Sequence, residues 1–562
     1  MGSMINFGLS EETHRCQSPL DVPEVINFEN HFSTFDFLSH RFRSWGPSIR
    51  RCFSLARSFN CKTVVFEKIA PAGMIDEENS RLRSMACHSD EILYRVSFWL
   101  ERFDTADDIS QRDDKDLVGY LIVKHDYGIV NGIPKDKFYV FEAVFVKYCH
   151  EHNCITRPTT YSVVIGPKGF HIVGVLYCQQ NGITKVCAHV ALRTLLSRCV
   201  QTGDVNYETI HSYALAAMQK DSRVYYPWSG LSSECIQDVL DAFGMTYNAY
   251  DYDQVERQDP TRAIDRYRHP YQAYLYSGVE SGIGALMGFK VVNRDGSLRG
   301  KHIIPFYGHT FNKDTWVSDA DTAYFTVTQE FRYMRSENWA SSFIGHDDNF
   351  GPNFCVPRLY MRPEHVDYVV AIQEPGVILR SQDAEVAALS IISECVAKYG
   401  DSNNPWVRRL ALSLPHAGDP NQRFDAVLRA VELTKDEYVS HLKNSKDWQG
   451  NSGDDAILDV LSARVIPARL IVVEVSMAQL FPANKDKLAE VVFDGAKPLK
   501  RSETYVGGYE FVLTRMPGRY LTLLPVAKNS AKLAVATANS KFVTHIPLFH
   551  RDYPEVAISR QM

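Results

Sequence analysis

Apolar residues fall in short blocks along the first half of this chain, and most blocks have the length of a strand. Residues 62–67 form one such apolar segment, and runs at 92–100, 117–125 and 138–147 are rich in β-branched and aromatic side chains. Residues 161–165 and 170–177 flank Gly166-Pro167-Lys168-Gly169, which predicts a β-hairpin. The period then changes. Ala188, Ala191, Leu192, Leu195 and Cys199 recur at helical spacing, predicting a helix over 186–200 that Thr184 or a neighbour could cap. A second helix is predicted over 232–243, with Cys235, Ile236, Val239, Leu240 and Phe243 on one face and Gly244 just past its end. Strand patterns return at 284–292, 301–307 and 342–346. Beyond 360, helices are predicted at 385–399 and 424–433, the second from Phe424, Val427, Leu428 and Val431. Strands are predicted at 469–475, 490–493 and 509–514, and a polar loop at 449–454.

Helices followed by strands give an α+β order, not a βαβ alternation. With 562 residues the chain exceeds what one core supports. Three parts are expected: a β-rich region 1–150, a central domain 151–365, and a mixed α/β region 366–562.

Charge narrows the partners. Lys and Arg total 61 against 67 Asp and Glu, a formal charge of -6. Such a chain has no general field to gather nucleic acid or an anionic membrane. Arg41, Arg43, Arg50 and Arg51 read as a solvated helix face. No run is long and apolar enough to cross a bilayer, and no leader pattern is present. The 12 cysteines include no CxxC pair, so a reduced, cytoplasmic setting is expected, with no zinc and no cofactor.

Three segments carry candidate chemistry. Cys187 opens the helix that follows the polar loop after Cys178. Unpaired N–H groups and the helix dipole favour a thiolate there, and the same N–H groups suit an oxyanion. Gln180, with Gln179 in reserve, could add a side-chain donor. The plainer role for Cys187 is a small buried hydrophobe. His302 heads the apolar run Lys301-His-Ile-Ile-Pro-Phe-Tyr307, in position to serve as a base; His309 lies past Gly308 and suits the task less. In Phe343-Ile-Gly-His-Asp-Asp-Asn-Phe-Gly351 a strand enters an acidic turn, and Asp347 could orient an imidazole. Asp319 and Asp321 are its rivals. A metal-dependent hydrolase built on His346 and Asp347 is a further alternative.

These segments, in this order, resemble the papain-like cysteine peptidase superfamily. The likeness is nearest to its bacterial branch that includes the peptidases cutting double-glycine leaders. That family runs Gln, Cys on a helix, His on a strand, then Asn or Asp on the next strand; here the order is Gln180, Cys187, His302, Asp347. Residues 230–244 resemble its second helix, and 276–287 resemble the segment before its catalytic His strand. The likeness spans roughly residues 170–360. It departs from the family at Ala188-His189 and in a long insertion between Gly308 and Ser342, which keeps Asp319 in play. It implies a Cys-bearing helix packed on an antiparallel sheet. It also implies a cysteine hydrolase of peptide or isopeptide bonds, or an acyltransferase, acting on a peptide or protein substrate. The alternative is a catalytically silent papain-like module used for binding or signalling.

Overall fold

The computed structural model describes residues 15, 17–28, 33–42, 45–130, 132–146, 153–181, 187–199, 204–220, 231–310, 325–327, 332–414, 426–444, 466–478, 481, 487–527, 530–537 and 548. The chain is a mixed α and β protein, with three largely antiparallel sheets and helices packed on them.

It divides into two compact units. The first comprises Met1–Gly244, Ala249–His309 and Ser342–Ala371; the second comprises Met245–Asn248, Thr310–Ser341 and Ile372–Met562. The three-part division expected from sequence placed its boundaries elsewhere, after residues 150 and 365. Strand pairing explains the difference, because hydrogen-bonded ladders run across both proposed boundaries.

The first sheet contains β1 (Glu24–Asn27), β2 (Thr63–Ile69), β3 (Cys87–Ser89), β4 (Leu93–Trp99), β5 (Leu117–Val130), β6 (Ile133–Val146), β8 (Thr159–Ile165) and β9 (Lys168–Tyr177). Its order is β1-β2-β4-β5-β6-β9-β8, with β3 beside β5. Ala143 of β6 pairs with Tyr177 of β9, so the sheet continues past residue 150. Both faces are covered, which is why β2 reads as an apolar run without alternation. Val64 and Phe66 join Ile49, Phe53 and Ala56 of the helix Pro47–Ser58 in one core. Val65 and Ile69 face the other way, into a core with Ile75 and with Val190 of the helix Cys187–Cys199. The β8–β9 hairpin forms as expected, turning at Gly166, whose φ of 58° favours glycine.

The second sheet holds β7 (Asn153–Cys154), β10 (Thr246–Asp251), β11 (Ala285–Val292), β12 (Leu298–Thr310), β15 (Ser342–Asp347), β16 (Gly351–Pro357) and β17 (Val366–Gln373). The order is β10-β17-β11-β12-β15-β16, and β7 pairs with β12. Strand β17 pairs with β11, so a boundary at 365 would cut this sheet at a central ladder. The helix Ser233–Ala242 precedes β10; Ser232 caps it through Cys235 N, and Gly244 ends it with φ 68°.

The third sheet belongs to the second unit. It contains β13 (Phe325–Val327), β14 (Arg332–Arg335), β18 (Ala426–Thr434), β19 (Arg469–Met477), β20 (Ala489–Asp494), β21 (Leu513–Met516), β22 (Arg519–Ala527) and β23 (Ser530–Thr537), in that order. The helix Ser381–Tyr399 lays Ala384, Ala388, Ile391 and Ile392 against Leu428, Ile471, Val473 and Val491. The helix predicted over 424–433 is in fact β18. Leu428 enters one core while Val431 and Leu433 enter the opposite one. A strand buried on both faces has apolar residues at any spacing, so its pattern mimics a helix. The polar stretch 449–454 lies outside the described residues.

The four arginines are not one solvated face. Arg50 is exposed, but Arg51 donates to the carbonyls of Asn353 at 2.8 Å and Pro352 at 3.3 Å, and Arg41 pairs with Glu24. Arg43 lies outside the described residues. Among the described residues, no helix is long and apolar enough to cross a membrane.

Candidate active site

Cys187 is the first residue of the helix Cys187–Cys199 and is half-buried. Burial holds this helix in place: Val190 enters the core of the first sheet, and Arg193, fully buried, is anchored by charge. Arg193 Nη2 lies 2.8 Å from Glu142 on β6 and 2.9 Å from Asp204, while Arg15 Nε lies 2.7 Å from the same Glu142. The nucleophile candidate thus sits less than two turns of helix from a neutralised, buried ion cluster.

His302 lies within β12, four residues after the strand begins. Register places its partner. Phe306 pairs with Gly345, so moving four residues back along β12 moves four forward from β15, into the turn after Asp347. There His302 Nε2 lies 3.3 Å from Asp347 Oδ1, 3.3 Å from Asp348 Oδ1 and 3.3 Å from Asn349 Nδ2. Cys187 lines the same cleft and helps to favour the protonated imidazole. Phe289, the register partner of His302 on β11, presents its ring edge-on to the imidazole at 5.5 Å.

Burial opposes a charge on His302. Its hydrogen bond with Asp347 and the influence of Cys187, with the charges of Asp348 and Asp347, outweigh that and raise it to about 10. The turn itself is well held. Asn349 N donates to Asp347 Oδ1 at 2.8 Å, and Tyr177 Oη donates to the Asp347 carbonyl at 3.4 Å. Ser48, at the start of the helix Pro47–Ser58, accepts from Tyr177 at 2.9 Å and donates to the Asp348 carbonyl at 3.5 Å. Burial, reinforced by the charge of Asp347, pushes the Asp348 carboxyl up to about 6 against the pull of His302.

Cys187 and His302 line one cleft of about 340 Å³, together with Ser232, Glu234, Phe289 and Tyr368. One wall is braced by a closed quartet of charges. Lys290 lies 2.7 Å from Asp253 and 3.2 Å from Asp367, and Lys301 lies 2.5 Å from Asp367 and 3.5 Å from Asp253.

Other candidates fall elsewhere. Gln180 lines a separate recess with Arg81, His189 and Asn181, apart from the Cys187 cleft, so the structure does not support its assignment to the oxyanion site. Gln179 is occupied in bonding: its Oε1 accepts from Val140 N and its N donates to Val140 O, both at 3.0 Å. His346 is turned away from Asp347, its ring packed against Tyr307 and Tyr177. Its Nδ1 accepts from Asn353 N at 3.1 Å, and burial lowers its pKa to about 3. That placement removes the His346–Asp347 metal alternative. Asp319 and Asp321 lie outside the described residues. His309 pairs with Glu280, away from this cleft.

Sequence reasoning missed Phe289, Tyr368 and the second acid, Asp348. Asp348 stood beside the chosen residue and was legible as part of the acidic turn. Tyr368, on β17, has no local signal at all, because only strand pairing brings it near Cys187. Gly288, its register partner on β11, lies against the ring, since a Cβ there would stand 2.3 Å from Tyr368. Gly288→Ala is expected to displace Tyr368 and to cost about 1–3 kcal/mol by overpacking. Urea denaturation measures the loss, and a fall in Cys187 alkylation rate reports the altered cleft.

No family model, no curated protein and no solved structure matches this chain.

Proposed function

We propose that this chain is a papain-like cysteine hydrolase, or an acyltransferase of the same mechanism, acting on an amide bond of a peptide or protein. One observation carries the reading: Cys187 and His302 line the same open cleft, and His302 Nε2 lies 3.3 Å from Asp347 Oδ1. A helix-start thiol, an imidazole and an orienting carboxylate are the parts that thiol acyl transfer needs.

Cys187 sulfur, as thiolate, attacks the carbonyl carbon, and the electron pair of the C=O moves to oxygen. The Cys187 backbone N–H, at the helix N-terminus, faces that oxyanion. Collapse re-forms the C=O and breaks the C–N bond, and the amine leaves with a proton from the His302 imidazolium. Neutral His302 then takes a proton from water, which attacks the thioester and releases the acid; an amine in place of water gives transfer. Asp347 holds the ring orientation throughout, and Asp348 adds a second negative charge beside it. Phe289 shields the imidazole from solvent.

Alkylation by iodoacetamide at pH 7 tests the pair. A thiolate held by an imidazolium alkylates about tenfold faster than an ordinary thiol. Cys187 should therefore outpace Cys199 and Cys355, the other half-buried cysteines among the described residues, and His302→Ala should abolish the difference. Uniform slow labelling would instead favour the silent binding module. The pH sign follows from the raised value. The imidazolium is retained up to about pH 10, and turnover falls as pH rises through that value, when the leaving amine loses its proton donor. Stability from this charge is complete below the ordinary histidine value of 6.5 and disappears through the same upper limb.

A further inference from the structure

A second cluster of chemistry-bearing side chains lies in the first unit, and none of its members lines the Cys187 cleft. Cys154 on β7, Glu280 at the end of the helix Tyr271–Glu280, and His309 on β12 converge. One ligand atom from each lies within 4.8 Å of the others. All three are deeply buried, at 3%, 0% and 2% exposure. His309 Nε2 lies 2.5 Å from Glu280 Oε2. The backbones are fixed close together: β7 runs against β12 so tightly that a Cβ on Gly308 would lie 2.5 Å from the Cys154 carbonyl oxygen.

The geometry points to a zinc site formed by Cys154, Glu280 and His309. The donor set is one sulfur, one imidazole nitrogen and one carboxylate oxygen. Zinc takes that mixture, whereas magnesium and calcium seek oxygen alone. Charge supports the same ion. A thiolate and a carboxylate carry two negative charges, which a divalent cation cancels, leaving a neutral site suited to a buried position. Binding forms Zn–S, Zn–N and Zn–O bonds. It releases the Cys154 thiol proton to solvent, together with the second imidazole proton wherever His309 carries one. The hydrogen bond between His309 and Glu280 opens as the metal enters, since tetrahedral zinc ligands stand roughly 3.3 Å or more apart. Three protein ligands leave the fourth position to water.

Placement gives the site its purpose. His309 and His302 share β12, so a metal that pins β7 and the helix end to that strand also fixes the strand carrying the base. No CxxC or HxxxH spacing announces the site, because its ligands stand 126 and 29 positions apart in the chain.

The test uses the full chain, stripped with chelator and reloaded with cobalt, whose bond to thiolate gives a near-ultraviolet charge-transfer band. One equivalent of zinc should bind, and cobalt should give the band in the wild type and in Cys187→Ser. The band should vanish in Cys154→Ser with circular dichroism unchanged. Should Cys154→Ser fail to fold, Glu280→Gln, which keeps the shape, decides the matter through a zinc affinity lowered at least about tenfold. Absence of metal binding or of the band in the wild type overturns the proposal. So does a band that survives Cys154→Ser, undiminished affinity in Glu280→Gln, or a band lost in Cys187→Ser, which would move the metal to the Cys187–His302–Asp347 cluster.

Discussion

Cys187→Ala is expected to abolish amide cleavage, lowering turnover by about 10⁴-fold or more, as loss of a covalent nucleophile does in enzymes with a similar division of labour. The measurement is the appearance of new peptide N-termini from a proteome-derived peptide library, read by mass spectrometry. Folding should be preserved, because Cys187 is half-buried and the smaller side chain leaves no deep cavity. Asp347→Asn should fall between the wild type and Cys187→Ala. It keeps a partner for His302 Nε2 but removes one of the two negative charges that hold the imidazolium. Cleavage that persists in Cys187→Ala, with the same products, would remove the proposed nucleophile from the reaction.

The largest expected effect on stability lies at Glu142. Its carboxylate accepts from Arg15 at 2.7 Å, from Arg193 at 2.8 Å and from Tyr120 at 3.0 Å, all in a fully buried setting. Glu142→Ala leaves two buried guanidinium groups with Asp204 as their shared counter-ion. Removing one partner of a buried ion cluster costs about 3–5 kcal/mol, because the desolvation of the remaining charges is no longer offset. Arg193 stands on the helix that begins at Cys187, so the same substitution should also slow Cys187 alkylation. Urea denaturation of the first unit measures the first effect. Arg50→Ala, at an exposed site, serves as the control and should stay within about 0.5 kcal/mol. A loss below about 1 kcal/mol for Glu142→Ala would show that solvent or a rearranged partner replaces the carboxylate.

Much of the local structure was legible. The hairpin at 159–177, the helix beginning at Cys187, the capped helix after Ser232 and the strands bearing His302 and Asp347 follow from period and turn chemistry. The misreading of 424–433 shows where that legibility ends. A strand covered on both sides has no polar face, and its apolar spacing carries no period to read. The division into units is hard to read from sequence for a related reason. Ladders such as β6 with β9 join segments across a proposed boundary, and no local pattern encodes which strands will pair.

The candidate site divides in the same way. Local chemistry singled out Cys187 by its helix-start position, His302 by its strand and Asp347 by the acidic turn, since each depends on neighbours in the chain. The structure brought those three together, and it also moved Gln180 to another recess, turned His346 away and brought in Phe289, Tyr368 and Asp348. Arg51, read as solvated, instead binds the carbonyls after the acidic turn. By itself, the sequence determined which segments become helices and strands at most positions, and which side chains could act as nucleophile, base and orienter. The tertiary structure alone decided their company: strand register set His302 opposite the turn after Asp347, and helix packing set Cys187 beside it. The physical reason is range. Backbone preference and capping act over a few residues, whereas register, burial and charge pairing act between segments more than a hundred positions apart.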